Sequence, residues 1–217
     1  GGLISAVSWP VLPMFYLSSG VGRRMQLAVL ASIAVLLTLP VAVLFADYFA
    51  AAGSAPLAAL GSLPALVVVW GLHPYATLRS LRTRRRKRSD ASLLFWRAGL
   101  ACAPLAAGSG LAAWLASDAR LPLLFGWIAL FGWAGMIMHG MLTRIVPFLV
   151  CFHRFAPLVG ARRVPSAKGL LPDRWTRVAF GLHAATLVLG VAAIGLGADV
   201  LARALGLALM GLAASLG

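Results

Sequence analysis

The chain has 217 residues, 61% of them apolar, and its mean hydropathy is +0.93. Soluble domains are about 45–50% apolar, so this composition excludes an ordinary soluble protein. The formal charge of +14 does not indicate nucleic-acid binding, because the basic residues lie between long apolar segments, where membrane topology places them.

Seven apolar segments follow one another along the chain. They cover about residues 1–20, 25–51, 56–79, 92–116, 121–150, 175–197 and 200–217. Each has about the length that spans ~30 Å of hydrocarbon as a helix, and none alternates as a barrel strand does. We therefore predict an all-α, polytopic transmembrane helical bundle of about seven spans, forming a single transmembrane domain over 1–217. Because the first and last segments lack polar flanks, we expect an interior piece of a longer polytopic chain.

The loops between these segments alternate in charge. Loops one, three and five are basic, whereas loops two, four and six carry at most one basic residue. Cytoplasmic loops of membrane proteins carry the excess of Lys and Arg, so we predict that the basic loops 79–90 and 154–174 are cytoplasmic. Apart from Lys87 and Lys168 every basic residue is Arg. This bias is typical of GC-rich coding and favours a bacterial inner membrane.

Two short stretches of the chain resemble each other. When Pro13 is aligned with Pro147, "LISAVSWPVLPMFYL" lies over "IMHGMLTRIVPFLVC", and Ser5 lies over His139. The offset corresponds to four segments, so both helices are expected to cross in the same direction. We predict a four-helix internal repeat whose units begin at residues 1 and 135.

The same stretches resemble a known superfamily. "VLPMFYL" is similar to a "VxPMFxL" helix end, and "RIVPFLVCFHRF" to a "xIxPFLxWxHR" helix end, of distant relatives of the haem-copper oxidase catalytic subunit and of NnrS-like haem-copper membrane proteins. The resemblance covers about 40 residues, and the paired His-His of a copper site is missing from this chain. It implies haem or copper as cofactor, electron transport or O2/NO chemistry, and other membrane subunits or a cytochrome as partners besides the lipid bilayer.

Two histidines lie deep within the predicted spans. At 1.5 Å per residue, His139 and His183 are each roughly 12–13 Å from the cytoplasmic boundary, on consecutive antiparallel segments. Neutral imidazoles at one depth are suited to ligate haem iron or to share a copper ion. The alternative is that each ring hydrogen-bonds across helices and only holds them together. We predict His139 and His183 as the cofactor and metal ligands.

Three further basic side chains lie nearer the cytoplasmic boundary. Arg144 either extends its guanidinium to the headgroups or holds an anion such as a haem propionate, and it is the third predicted cofactor-binding residue. His73 and His153 are expected to be solvated or at lipid headgroups. Pro147 removes a helical hydrogen bond and is expected to bend or end its helix.

Two classes of function remain open on these patterns. The first is a haem- or copper-binding membrane subunit, distantly like haem-copper oxidases. The second is a transporter or a non-catalytic assembly subunit without a cofactor. The five acidic residues lie mostly at segment ends, so there is no acidic proton relay within the membrane, which counts against an ion-coupled carrier.

Overall fold

A computed structural model describes residues 2–18, 20–50, 55–83, 90–155 and 164–214. These residues are helical apart from short connections and contain no strand, which confirms the predicted all-α class. The α-helices are α1 (Gly2–Tyr16), α2 (Arg23–Ala50), α3 (Ala55–Val67), α4 (His73–Arg82), α5 (Ser92–Leu115), α6 (Arg120–Trp127), α7 (Met136–Val150), α8 (Ala167–Leu170), α9 (Asp173–Leu196) and α10 (Asp199–Ala214). Three π-helical segments join or extend them, at Val68–Leu72, Ile128–Gly135 and Cys151–Phe155.

Four helices in the described residues are long and apolar enough to cross a membrane. They are Arg23–Phe49, Ser92–Leu115, Arg120–Phe155 and Asp173–Leu196. The chain therefore has the helices of an integral membrane protein. The other three predicted segments coincide with α1, with the helix from Ala55 to Arg82, and with α10. Their crossing of the bilayer, and so the count of seven spans, stays a prediction.

The chain divides into two compact units, Gly1–Lys87 and Arg88–Gly217. In the first unit, α2 packs along α3, and α1 packs against α4. In the second unit, α5 packs against the α6–α7 helix, and α9 packs along α10 and against α6. The expectations of one transmembrane domain and of a repeat beginning at residues 1 and 135 stay predictions.

In the second unit, α5 and α7 approach each other closely. A Cβ atom added at Gly99 would lie 2.8 Å from Ile137 Cγ1, and one added at Gly140 would lie 2.9 Å from Phe95 Cβ. Glycine at these two positions lets the backbones approach closely, as small residues do in membrane helix pairs. Phe95 and Trp96, beside Gly140, are fully buried. This contact fixes the position of the first turns of α7, where His139 lies.

The expectation that Pro147 bends or ends its helix is met by a helix that does not end there. The helix α7 continues to Val150 and then as a π-helical turn, Cys151–Phe155. A bend at Pro147 stays a prediction. The segment "FLVCFHRF" is therefore helical as far as Phe155 rather than leaving the helix at Pro147.

Candidate functional site: a buried histidine pair

The second unit brings together the two histidines that the sequence singled out. His139 lies in the first turn of α7, directly after the π-helical segment Ile128–Gly135, and His183 lies in the middle of α9. The side chains are only 7% and 4% exposed, respectively. Their ring centroids are 5.4 Å apart, and the planes are inclined at 49°. The two rings thus face each other inside the helix packing and not the lipid.

Their hydrogen bonds determine which nitrogens carry protons. His183 Nε2 is 3.1 Å from the carbonyl oxygen of Phe131, which only accepts, so His183 Nε2 carries a proton. In a neutral ring His183 Nδ1 is then an acceptor. His139 Nδ1 lies 3.1 Å from it and must donate. This assignment leaves the Nε2 lone pair of a neutral His139 without a hydrogen bond from the described residues.

Aromatic rings surround the pair. Phe95 of α5 lies 4.4 Å from the His139 ring, and Phe131 lies 4.3 Å from the His183 ring, measured between centroids. Phe180 contacts Phe95 edge-on, and Trp127 stacks on Phe131. These rings exclude water from the two imidazoles, which strengthens polar interactions between them. Phe95 and Phe131 were not singled out from the sequence, where they look like ordinary apolar positions.

The separation of the two Nδ1 atoms suits a shared metal ion as well as a hydrogen bond. With metal–nitrogen bonds of about 2.05 Å, a 3.1 Å separation gives an angle of about 98° at the ion, near the tetrahedral range. The bond from His183 Nε2 to Phe131 is the outer-shell contact that holds a ligating imidazole in the required tautomer. No third His, Cys, Asp or Glu of the described residues completes a group of three with them.

Arg144 is held by side chains at the start of α5. Its guanidinium forms an ion pair with Asp90, and Arg144 Nε donates to Ser92 Oγ at 3.2 Å. Asp90 Oδ1 also accepts from the backbone N–H and the hydroxyl of Ser92, which caps the N-terminus of α5. The carboxylate beside Arg144 therefore comes from the protein itself. The binding of a cofactor anion by Arg144 stays a prediction.

Asp90 and Ser92 were missed in the sequence, although "SDASLL" carries the signal of a helix start. An Asp or Ser directly before an apolar run is a typical N-terminal cap. The pattern predicts the cap but not the ion pair, because Arg144 is 54 positions further along the chain. Only the packing of α5 on α7 brings the two charges together.

The two remaining histidines differ from each other. His153 is exposed on the π-helical turn Cys151–Phe155, as expected for a residue at the boundary. His73 is 2% exposed, so the expectation that its ring lies at the protein surface, in bulk solvent or among headgroups, is wrong. The helix from Ala55 to Arg82 runs on past His73 for more than two turns, which places this residue inside the packing of the first unit.

Comparisons of the chain with family models, with curated proteins and with solved structures find no match.

Proposed function

We propose that this chain is a membrane-embedded metal-binding subunit that holds a copper ion between His139 and His183. The observation that carries the proposal is the buried Nδ1–Nδ1 separation of 3.1 Å, with the His183 tautomer fixed by Phe131. A bound copper ion would supply redox or gas-binding chemistry. The polypeptide would position the two nitrogens, fix their protonation and exclude water.

A single ion suits this pair better than haem does. Two imidazoles that ligate one haem iron from opposite faces place their nitrogens about 4 Å apart, with the macrocycle between them, given bonds of about 2 Å. The two rings here touch through nitrogens 3.1 Å apart, and Phe95 and Phe131 cover their outer sides. Of haem and copper, the two cofactors expected from the sequence, we therefore propose copper.

Copper(I) is favoured over zinc by a buried methionine one helical turn from His139. Met136 is buried and lies one helical turn before His139, on the same side of α7. A thioether is a ligand for copper(I) and a poor one for zinc. Because no third His, Cys, Asp or Glu of the described residues joins the pair, we propose Met136, the buried methionine on the helix face of His139, as a further ligand.

Anaerobic copper(I) titration against a chromogenic chelator tests this function in the detergent-purified protein. We expect one copper(I) per chain, and we expect His139→Leu and His183→Leu each to weaken binding by more than about 100-fold, because even the outer partners of metal ligands contribute about 10–100-fold. His153→Leu is the matched control, since this ring is exposed and away from the pair. Equal copper binding by the wild type and both pair variants would reject the proposal.

A second function, a non-catalytic membrane assembly subunit, is favoured by one observation. Both ring protons of the neutral pair are used in hydrogen bonds without any metal, one to Phe131 and one between the rings. In that case each single Leu variant leaves a polar partner unpaired, whereas the double variant removes both polar groups. For this second function we expect the metal-free double variant to be more stable to unfolding than either single variant. We also expect that added copper does not change the Tm of the wild type.

A further inference from the structure

The first unit contains a buried imidazole with no hydrogen bond. Neither Nδ1 nor Nε2 of His73 is accessible to solvent, and neither has a partner among the described residues. A neutral imidazole carries one donor and one acceptor, so both are left unmatched. Buried polar groups in native proteins nearly always have a partner, and an exception requires an explanation. Trp9, on the α1 helix that packs against α4, has a buried indole N–H in the same condition.

His73 lies at the end of a line of buried polar side chains. On α4, His73, Thr77 and Ser80 follow the spacing of one helix face and are all buried. Ser80 Oγ is hydrogen-bonded to Ser18 Oγ at 3.2 Å, beyond the end of α1. We name this line, His73–Thr77–Ser80–Ser18, the polar seam. At 1.5 Å per residue it extends about 10 Å along α4, and Arg79 and Arg82 are exposed at its far end.

The backbone at His73 is unusual as well. The preceding segment, Val68–Leu72, is π-helical, and the N–H of His73 closes it by donating to the carbonyl of Val68. Pro74 has no N–H for the carbonyl of Trp70, which accounts for the wider turn. Segments of this kind recur at functional sites. Here the π-helical segment lies directly before His73, whose ring nitrogens have no hydrogen-bond partner among the described residues.

We propose that the polar seam binds water, which enters from the end marked by Ser18 and Ser80 and hydrogen-bonds to the ring nitrogens of His73. A larger ligand does not fit, because the ring is 2% exposed within helix packing. A metal ion would need further ligands, and the described residues contain no group of three His, Cys, Asp or Glu. Water both donates and accepts, as the two nitrogens require, and a buried water makes about three hydrogen bonds. This site is independent of the proposed copper site.

Water-edited solid-state NMR of the 15N-histidine-labelled protein in lipid bilayers tests the proposal on native side chains. Magnetisation passes from mobile water protons to nearby ring nitrogens within milliseconds. The ring signals are assigned by loss in His73→Leu, His153→Leu and His183→Leu. We expect the His73 signal to build up as fast as that of exposed His153, and much faster than that of His183, which is buried and partnered. If the ring nitrogen signal of His73 builds up as slowly as that of His183, the proposal is overturned.

Cysteine reactivity provides a second measurement that does not depend on assignment. In a chain with Cys102→Ala and Cys151→Ala, the variants His73→Cys, Thr77→Cys and Val69→Cys are treated with methyl methanethiosulfonate, which reacts with the hydrated thiolate. Val69 is the matched control, since it is equally buried, one turn before His73 and outside the polar seam. We expect the two seam positions to react at least about tenfold faster than Val69→Cys. Equal rates at all three positions contradict a hydrated seam.

Discussion

Asp90 and Arg144 of the second unit pair their charges with each other inside the protein. Asp90 accepts from Ser92 and pairs with Arg144, so one carboxylate both caps α5 and neutralises a guanidinium on α7. The pair is partly buried, with side-chain exposures of 15% for Asp90 and 24% for Arg144. Solvent screens the pair only in part, and we expect it to contribute to stability rather than to be neutral, as many exposed pairs are.

The substitution Asp90→Asn separates the two roles of this carboxylate. Asparagine still caps α5, but it removes the charge opposite Arg144. We expect a loss of about 1–2 kcal/mol in the free energy of unfolding, in the range for hydrogen bonds to charged groups and reduced for partial exposure. The measurement is reversible unfolding in mixed micelles, followed by tryptophan fluorescence.

A double-mutant cycle completes this test. Arg144→Leu and the double variant with Asp90→Asn are unfolded alongside the single variant, and Arg97→Leu serves as an exposed arginine control on α5. If the pair acts as described, the double variant loses less than the sum of the two single losses. Strict additivity of the two losses would show that the ions do not interact.

Sequence reasoning found the histidine pair but not its chemistry. The sequence places His139 and His183 at the same distance from the cytoplasmic boundary on two consecutive helices, because the rise per residue of a helix is constant. The tautomers could not be predicted, because they depend on the backbone carbonyl of Phe131, which carries no signature of its own. His73 was misjudged for a related reason. Nearness to a predicted boundary says nothing about the face of the helix on which a residue lies.

At the scale of the helices, the packing between α5 and α7 depends on how closely their backbones approach each other. Gly99 meets Ile137, the side chain of Met136 and the backbone of Trp133, each within 3.2 Å of an added Cβ. Lipid is as apolar as the helix surfaces, so helices in membranes associate through close packing rather than hydrophobic burial. The density of small residues in α5 predicts such a contact from the sequence. The π-helical segments could not be predicted, because a proline in a helical segment can bend the helix, end it or widen a turn, and the sequence does not select among these outcomes.

Gly99→Ala measures this packing directly. The new methyl group would overlap Ile137 and crowd the carbonyl oxygen of Trp133, and we expect a loss of about 1–3 kcal/mol in unfolding free energy. Gly108→Ala is the matched control on the same helix, because no atom lies within 4 Å of its added Cβ. That variant should be neutral or gain up to about 1 kcal/mol through helix propensity. Equal stabilities of the two variants, measured by the same micelle unfolding, would mean that α5 and α7 are loosely packed.

At the scale of the whole molecule, the structure has four candidate spans where the sequence predicts seven. Length explains the difference for α1 and α10, which have 15 and 16 residues in the described part of the chain. The helix from Ala55 to Arg82 is not among the four candidate spans either. Loops 51–54 and 84–89, which carry much of the charge alternation, lie outside the described residues. The orientation of the chain therefore still rests on the loop charges.

Two exposed loop positions in the second unit test that orientation. Ser117 lies between α5 and α6, in the loop predicted to be external, and Ser166 lies before α8, in the loop predicted to be cytoplasmic. In a background with Cys102→Ala and Cys151→Ala, we expect a membrane-impermeant maleimide to label Ser117→Cys in intact cells and Ser166→Cys only after permeabilisation. The reason is the retention of Arg- and Lys-rich loops in the cytoplasm. Labelling of both positions from outside would mean that the helix between them, Arg120–Phe155, does not cross as predicted. The reverse pattern would place the basic loops outside and invert the topology.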